Sequence, residues 1–184
     1  MTNLDVRLLH AIYGGAHGPL STAMIALTVL GAGWTSLLLL PLLWAARTRP
    51  FAALLTAAVV AQAVLVWATK AAVGRVRPWI ALGLPAPIGA PRDFSFPSGH
   101  AAGSFCLAAF LAFALPAAWP AAPRRARLVS AGVFLYAALV ATSRVYLGAH
   151  FPSDVLAGAI LGGSIGAAAG LVYGRRRRLS RAAA

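Results

Sequence analysis

Acidic residues are nearly missing from this 184-residue chain. It has no glutamate and three aspartates, Asp5, Asp93 and Asp154, against 16 lysines and arginines, a formal net charge of +13. Lysine is scarcer still: Lys70 is the only one, and the other bases are arginines. Charged residues of either sign make up 10% of the chain, whereas soluble domains carry about 25%. With 60% hydrophobic residues and a mean hydropathy of +0.80, this excludes an ordinary soluble domain and excludes disorder. One cysteine, Cys106, excludes an internal disulfide. Met1 to His10 lack the basic start, short apolar core and small-residue cleavage site of a signal peptide, so insertion is expected to use the spans themselves. The composition therefore predicts one all-α, polytopic membrane domain over residues 1–184.

Five apolar runs are long enough to cross a bilayer, which takes roughly 20 helical residues. They cover about 20–46, 51–73, 99–118, 128–146 and 152–173. Residues 2–14 read as a short interfacial helix with Leu4, Leu8 and Ile12 in one stripe and Asp5 and Arg7 off it. Ten arginines fall in the 46–50 and 119–127 connections and the basic tail 175–184. The opposite side holds six bases and all three aspartates. Positive charge marks the cytoplasmic side, so the 74–98 and 147–152 connections are expected to face outward. Because the arginines divide by membrane side, no nucleic-acid groove is expected. Gly158, Gly162, Gly166, Gly170 and Gly174 recur at four-residue steps. Such a stripe suits close helix approach, either as a homodimer seam or within the chain's own bundle.

Three groups of polar residues lie on the expected outward side. Lys70 and Arg77 end the second span, seven residues apart, so a continuing helix would point both the same way. They suit an oxyanion-rich ligand, or they snorkel to the headgroups. Pro97-Ser98-Gly99-His100 opens the third span, where backbone N–H groups bind anions and His100 can move a proton, or simply sits at the interface. Ser143-Arg144, His150 and Asp154 form the third group; a carboxylate four residues from an imidazole can fix its tautomer, or merely favour a helix start. Together they offer a cationic clamp, a nucleophile and a proton donor, the requirements of phosphoryl transfer. No carboxylate cluster suits Mg²⁺ and no Cys/His spacing suits Zn²⁺, so no metal or other cofactor is expected.

The eleven residues Lys70, Arg77-Pro78, Pro97-Ser98-Gly99-His100, Ser143-Arg144, His150 and Asp154 resemble, in order and internal spacing, the three signature motifs of the type 2 phosphatidic acid phosphatase family, membrane lipid phosphatases related to vanadium haloperoxidases. The resemblance covers 70–154. It implies that His150 attacks phosphorus and forms a phosphohistidine, and that Asp154 orients it. It further implies that His100 protonates the leaving oxygen and then activates water. Lys70, Arg77, Ser98, Gly99 and Arg144 would hold the phosphate, with Ser143 in support. The small size, with Phe96 and Phe151-Pro152, resembles bacterial undecaprenyl-pyrophosphate phosphatases, so undecaprenyl pyrophosphate is the leading expected substrate. Phosphatidylglycerophosphate or phosphatidate is the alternative. The 79–96 loop, with Pro85, Pro87, Pro91, Arg92 and Asp93, is expected to set lipid specificity. A non-catalytic anion transporter would use similar cations, but it has no need of His150, Asp154 and His100, and no inverted repeat is apparent. The expected location is the inner (plasma) membrane.

Overall fold

The structure is a computed structural model that describes residues 3–15, 19–31, 45–46, 48–87, 90 and 93–183. Within them the fold is all-helical: α1 (Asn3–Ile12), α2 (Pro19–Leu30), α3 (Arg49–Val73), α4 (Pro78–Ala81), α5 (Gly99–Ala118), α6 (Pro123–Tyr146) and α7 (Pro152–Ala182). Four helical segments, Arg49–Ala81, Gly99–Ala118, Pro123–Tyr146 and Pro152–Ala182, are long and apolar enough to cross a membrane. The expected first span is represented by α2, an apolar helix of 12 residues; its stretch 32–44 lies outside the described residues.

Two helices run longer than their apolar runs. Pro123 supplies the preset φ of a first helical turn, so α6 starts before Arg124, Arg125 and Arg127. The tail expected beyond Tyr173 continues α7 to Ala182, because arginine is a good helix former and cations favour a helix C-terminus.

α5 is the centre of the bundle. Alanines and other small residues on several of its faces, among them Ala101, Ala102, Cys106, Ala108 and Ala114, are buried, and α3, α6 and α7 pack around it. The closest packing is against α7. A Cβ placed on Gly162 would sit 1.9 Å from the Ala102 carbonyl oxygen; on Gly166, 2.1 Å from that of Cys106; on Gly158, 2.4 Å from that of Ser98. The glycine stripe thus packs against α5 of the same chain, as the in-bundle reading of that stripe had it. Large side chains such as Val64, Trp67, Leu135, Leu156 and Ile160 stay exposed on the bundle's outside, as lipid-facing residues do.

One end of the bundle is closed by Phe51, which stacks edge-on against Phe110 and Tyr173 beside Leu55. Arg49 at the start of α3, Arg124, Arg125 and Arg127 at the start of α6, and the arginines at the end of α7 flank that end. At the other end α1 lies across the connection between α6 and α7, with Leu9 fully buried against Val145 and Phe151. Leu4, Leu8 and Ile12 face away from the protein, so the expected stripe is the outer face of α1. Its inner face is Asp5 and Leu9, one turn apart.

Candidate active site

All three polar groups converge at the α1 end. α3 stops at Gly74, which takes a left-handed φ of 62° and donates its N–H to the Lys70 carbonyl, a conformation that glycine adopts without a side-chain penalty. The helix therefore does not persist from Lys70 to Arg77, so the condition under which helical spacing would align the two is not met. Arg77 is carried by an extended link and caps α4. The link is held by Ser95, whose N–H donates to the Arg75 carbonyl at 2.8 Å. The Ser98 N–H donates to the Asp154 carbonyl at 2.9 Å, tying the start of α5 to the start of α7. After α6, Gly148 turns the chain at φ 68°, and the Arg144 carbonyl accepts from the N–H groups of Ala149 and His150. That turn folds His150 back into the bundle.

His150 is 2% exposed and its two ring nitrogens meet different surroundings. Nδ1 faces the Asp154 carboxylate at 3.7 Å, with the Ser95 hydroxyl at 3.5 Å. Nε2 lies 3.2 Å from Arg77 Nη1. Burial is the main force on the imidazole, and with the charges of Arg144 and Arg77 it pushes the pKa down to about 3 against the opposing pull of Asp154. The ring is neutral at pH 7, with a lone pair for nucleophilic use.

Asp154 is fully buried and well supplied with donors. Ser95 Oγ donates to Oδ2 at 2.5 Å, the Phe151 N–H donates to Oδ2 at 2.9 Å, and Arg75 Nη1 donates to Oδ1 at 2.5 Å. Its partners thus extend well beyond His150, the one partner the sequence had suggested.

Lys70 and Arg77 meet through a carboxylate. Asp93 pairs with Lys70 Nζ at 3.0 Å and with Arg77 Nη2 at 2.5 Å, and its own carbonyl accepts from Arg77 Nε. Lys70 Nζ also donates to the Phe94 carbonyl. Burial raises the Asp93 carboxyl, but the hydrogen bonds from Lys70 and Arg77 outweigh it and hold the group below its ordinary range. Arg144, 5% exposed, donates Nη1 to Thr28 at 3.3 Å while its Nε is buried without a hydrogen-bond partner among the described residues. His100 sits close enough to Arg144, Arg77 and Lys70 for their charges to act on it. Ser98 is buried; its hydroxyl caps α5 by accepting from the Ala101 N–H at 3.5 Å. A Cβ on Gly99 would meet only Val66, at an ordinary 3.6 Å, so the glycine keeps the approach to the helix start open without being sterically required. Ser143 is buried and donates to the Val140 carbonyl, with its Oγ 2.8 Å from that of Thr28 on α2.

All eight expected site residues therefore gather at one end of the bundle. Sequence reasoning passed over Arg75, Ser95, Ser153 and Thr28, and it treated Asp5 as a polar residue off the apolar stripe. None of these carries a spacing signal; their roles come from contacts across up to 148 residues. Arg92 and Pro91 of the 79–96 loop lie outside the described residues. Among the described residues, no group of three or more His, Cys, Asp or Glu side chains is placed to hold a metal ion.

The profile of the PAP2 superfamily matches residues 50–178. Phosphatidylglycerophosphatase B of Bacillus subtilis is 38% identical over 101 residues, which is 53% of this chain and 50% of that protein. The chain spans half or less of the length of the curated relatives it matches. The crystal structure of the transmembrane PAP2-type phosphatidylglycerolphosphate phosphatase of Bacillus subtilis superposes with a TM-score of 0.78 at 28% identity, covering 95% of this chain and 88% of that one. Aquifex aeolicus LpxE superposes with a TM-score of 0.74 at 28% identity, covering 91% and 95%.

Proposed function

The chain belongs to the PAP2 superfamily, and from that premise we propose that it is a lipid phosphatase working through a phosphohistidine without a metal ion. The observation that carries this reading is the two-sided setting of His150. One ring nitrogen is turned to a buried carboxylate and the other to the cationic clamp.

In this reading Lys70, Arg77 and Arg144, with the Ser98 hydroxyl and the Gly99 N–H, take the non-bridging oxygens of the substrate's terminal phosphate, while the Ser98 N–H stays on the Asp154 carbonyl. Arg77 turns its N–H from His150 Nε2 to a phosphate oxygen, which frees the lone pair. Nε2 attacks phosphorus, the P–O bond to the lipid breaks, and His100 gives its proton to the departing oxygen. Asp154 stabilises the positive charge that grows on the ring through Nδ1. His100 then takes a proton from water, the resulting hydroxide attacks phosphorus, and the N–P bond breaks to release phosphate and neutral His150. Charge neutralisation by fixed cations supplies what bound Mg²⁺ supplies in other phosphoryl-transfer sites.

The substrate we favour is a glycerophospholipid phosphate of the phosphatidylglycerophosphate type, since the Bacillus subtilis relative similar in both sequence and structure carries that activity in its name. Undecaprenyl pyrophosphate, the leading expectation from the sequence, is the second reading. Its support is the arginine asymmetry, which favours a site on the outer face of the plasma membrane, where such a lipid would be recycled.

The test is phosphate release by purified protein from phosphatidylglycerophosphate, phosphatidate and undecaprenyl pyrophosphate in matched detergent, with EDTA present. We expect release that EDTA leaves unchanged and that His150→Ala abolishes. Turnover by His150→Ala, or strict dependence on added Mg²⁺, would refute the mechanism.

A further inference from the structure

α1 contributes to the site through a chain of charges that reaches the motif residue Asp154 by way of two residues outside the signature motifs, Asp5 and Arg75. Arg75 stands in the link between α3 and α4, its guanidinium 4.3 Å above the Phe151 ring. One Nη donates to Asp154 Oδ1 at 2.5 Å and to Ser153 Oγ at 2.7 Å. The other donates to Asp5 Oδ2 at 2.7 Å. Asp5 in turn accepts from the Ser153 N–H at 3.0 Å and from the Ser153 hydroxyl at 2.6 Å. Asp5 is 6% exposed and Asp154 fully buried, so the three charges lie in a largely water-free layer between α1 and the start of α7.

The fork geometry matters here. A guanidinium is planar and presents its N–H groups in a fixed array, so Asp5 and Ser153 on one edge determine where the remaining N–H points. That N–H points at the oxygen of Asp154 opposite the one that faces His150. Asp154 is thus gripped on Oδ1 by Arg75 and on Oδ2 by Ser95 and the Phe151 N–H. Its carboxylate plane is set from outside the dyad. Without Asp5, Arg75 would be a partly buried cation with one partner fewer, free to rotate toward Asp154 alone. The hydrogen bonds Asp5 receives, from Ser153 and then Arg75, outweigh burial and keep its carboxyl below the ordinary range, so the charge is present at neutral pH.

We propose that Arg75 and Asp5 are positioning residues for the proposed reaction: Asp5, carried by α1, holds Arg75, and Arg75 holds the Asp154 carboxylate that orients His150. α1 is then part of the catalytic apparatus as well as an interfacial helix. Its lipid-facing Leu4, Leu8 and Ile12 lie on one side of the helix and the Asp5–Arg75 contact on the other. This rests on the lipid-phosphatase reading above.

The test compares full-length wild type, His150→Ala, Asp5→Asn, Arg75→Gln and the double variant Asp5→Asn/Arg75→Gln on phosphatidylglycerophosphate in detergent micelles. For each, kcat, KM and the amplitude of the pre-steady-state burst of dephosphorylated lipid, which counts competent sites, are read separately. We expect kcat to fall about 100-fold in Arg75→Gln and about tenfold in Asp5→Asn, with KM and burst amplitude within about twofold of wild type. The double variant should be no slower than Arg75→Gln, because Asp5 acts only through Arg75. Asp5→Glu, which keeps the charge, should recover part of the loss. Wild-type kcat in Asp5→Asn would overturn the inference. So would independent, multiplying losses in the double variant, or a loss confined to burst amplitude, which marks misfolding. Should Arg75→Gln fail to fold, Asp5→Asn and Asp5→Glu decide the matter by the same criteria. Failure of the underlying reading looks different: the wild type would release no phosphate, or His150→Ala would match it.

Discussion

Substituting the glycines of α7 by alanine tests whether the α5–α7 seam sets both stability and catalytic geometry. At Gly162 the new Cβ lies 1.9 Å from the Ala102 carbonyl oxygen, and that oxygen belongs to backbone that cannot swing aside. Ordinary contact would require the helices to part by about 1.5 Å, in an interior packed at crystal-like density. Overpacking of this kind costs about 1–3 kcal/mol, or more where backbone is the obstacle. For a chain of this size that is a fall in Tm of roughly 5–10 °C. The same displacement separates the α5 residues Ser98 and His100 from His150 and Asp154 at the start of α7. A misplacement of about 1 Å can reduce kcat about 100-fold. At Gly174 the nearest backbone atom is the Phe113 oxygen at 3.3 Å, so alanine should change Tm by less than about 2 °C and leave kcat intact. Gly163, one residue from Gly162, has nothing within 4 Å; alanine there should hold or raise Tm, since it stiffens the unfolded chain. Thermal unfolding in detergent and phosphate-release kinetics on the three variants give the ranking. Equal Tm and equal kcat for Gly162→Ala and Gly163→Ala would refute the seam.

Asp93→Asn should free the donors that Lys70 and Arg77 now give to Asp93, tightening inhibition by inorganic phosphate about five- to tenfold, since Asp93 is half-exposed and its pairs are worth about 1 kcal/mol. Weaker phosphate inhibition would mean that Asp93 holds the clamp together instead of competing for it. The His150 imidazole is pushed below its ordinary value, so the unfolded chain binds a proton there before the folded one does. Its contribution to stability is complete above about pH 6.5 and declines as pH falls toward the folded pKa near 3. Between pH 7.5 and 5.0, Tm should therefore drop more steeply in wild type than in His150→Gln; parallel curves would refute the buried neutral ring. Cysteine placed at Ala86 should react with a membrane-impermeant maleimide in intact cells, and cysteine at Ser180 only after permeabilisation, the native Cys106 being buried. The reverse pattern would overturn the outward orientation.

The sequence was most legible where function depends on spacing. The run Pro97 to His100, and His150 with Asp154 one helical turn on, are local patterns that survive without knowledge of the fold. The glycine stripe announced a close helix contact for the same reason, although its partner was not legible. That partner is a row of α5 carbonyls at Ser98, Ala102, Cys106 and Phe110, and backbone leaves no compositional signature. The convergence of Lys70 with Arg77 was expected from helical periodicity, yet it arises from a break at Gly74 and a carboxylate supplied by Asp93. Arg75 and Asp5 were invisible because their partners lie about 70 to 150 residues away and share no repeat.

The scarcity of acids acquires a physical meaning once their places are known. All three aspartates lie at the α1 end, and each is paired with a base: Asp5 with Arg75, Asp93 with Lys70 and Arg77, Asp154 with Arg75. A cation taken out of water needs a partner there, because the desolvation cost is several kcal/mol per ion. Arg124, Arg125, Arg127, Arg175, Arg176, Arg178 and Arg181 at the far end are exposed to headgroups and water instead. Arg144 departs from this rule. It is 5% exposed, it has no carboxylate within 4 Å among the described residues, and its Nε is unsatisfied. Its position beside Arg77 and His150 adds like charge to an uncompensated site. A phosphate dianion bound there would supply the missing charge and the missing acceptor together. The surplus of bases over acids at this end thus works as a standing demand for an anionic ligand. It follows that Arg144→Gln should weaken phosphate binding more than it weakens the fold, which a loss of Tm exceeding the loss of inorganic-phosphate affinity would contradict.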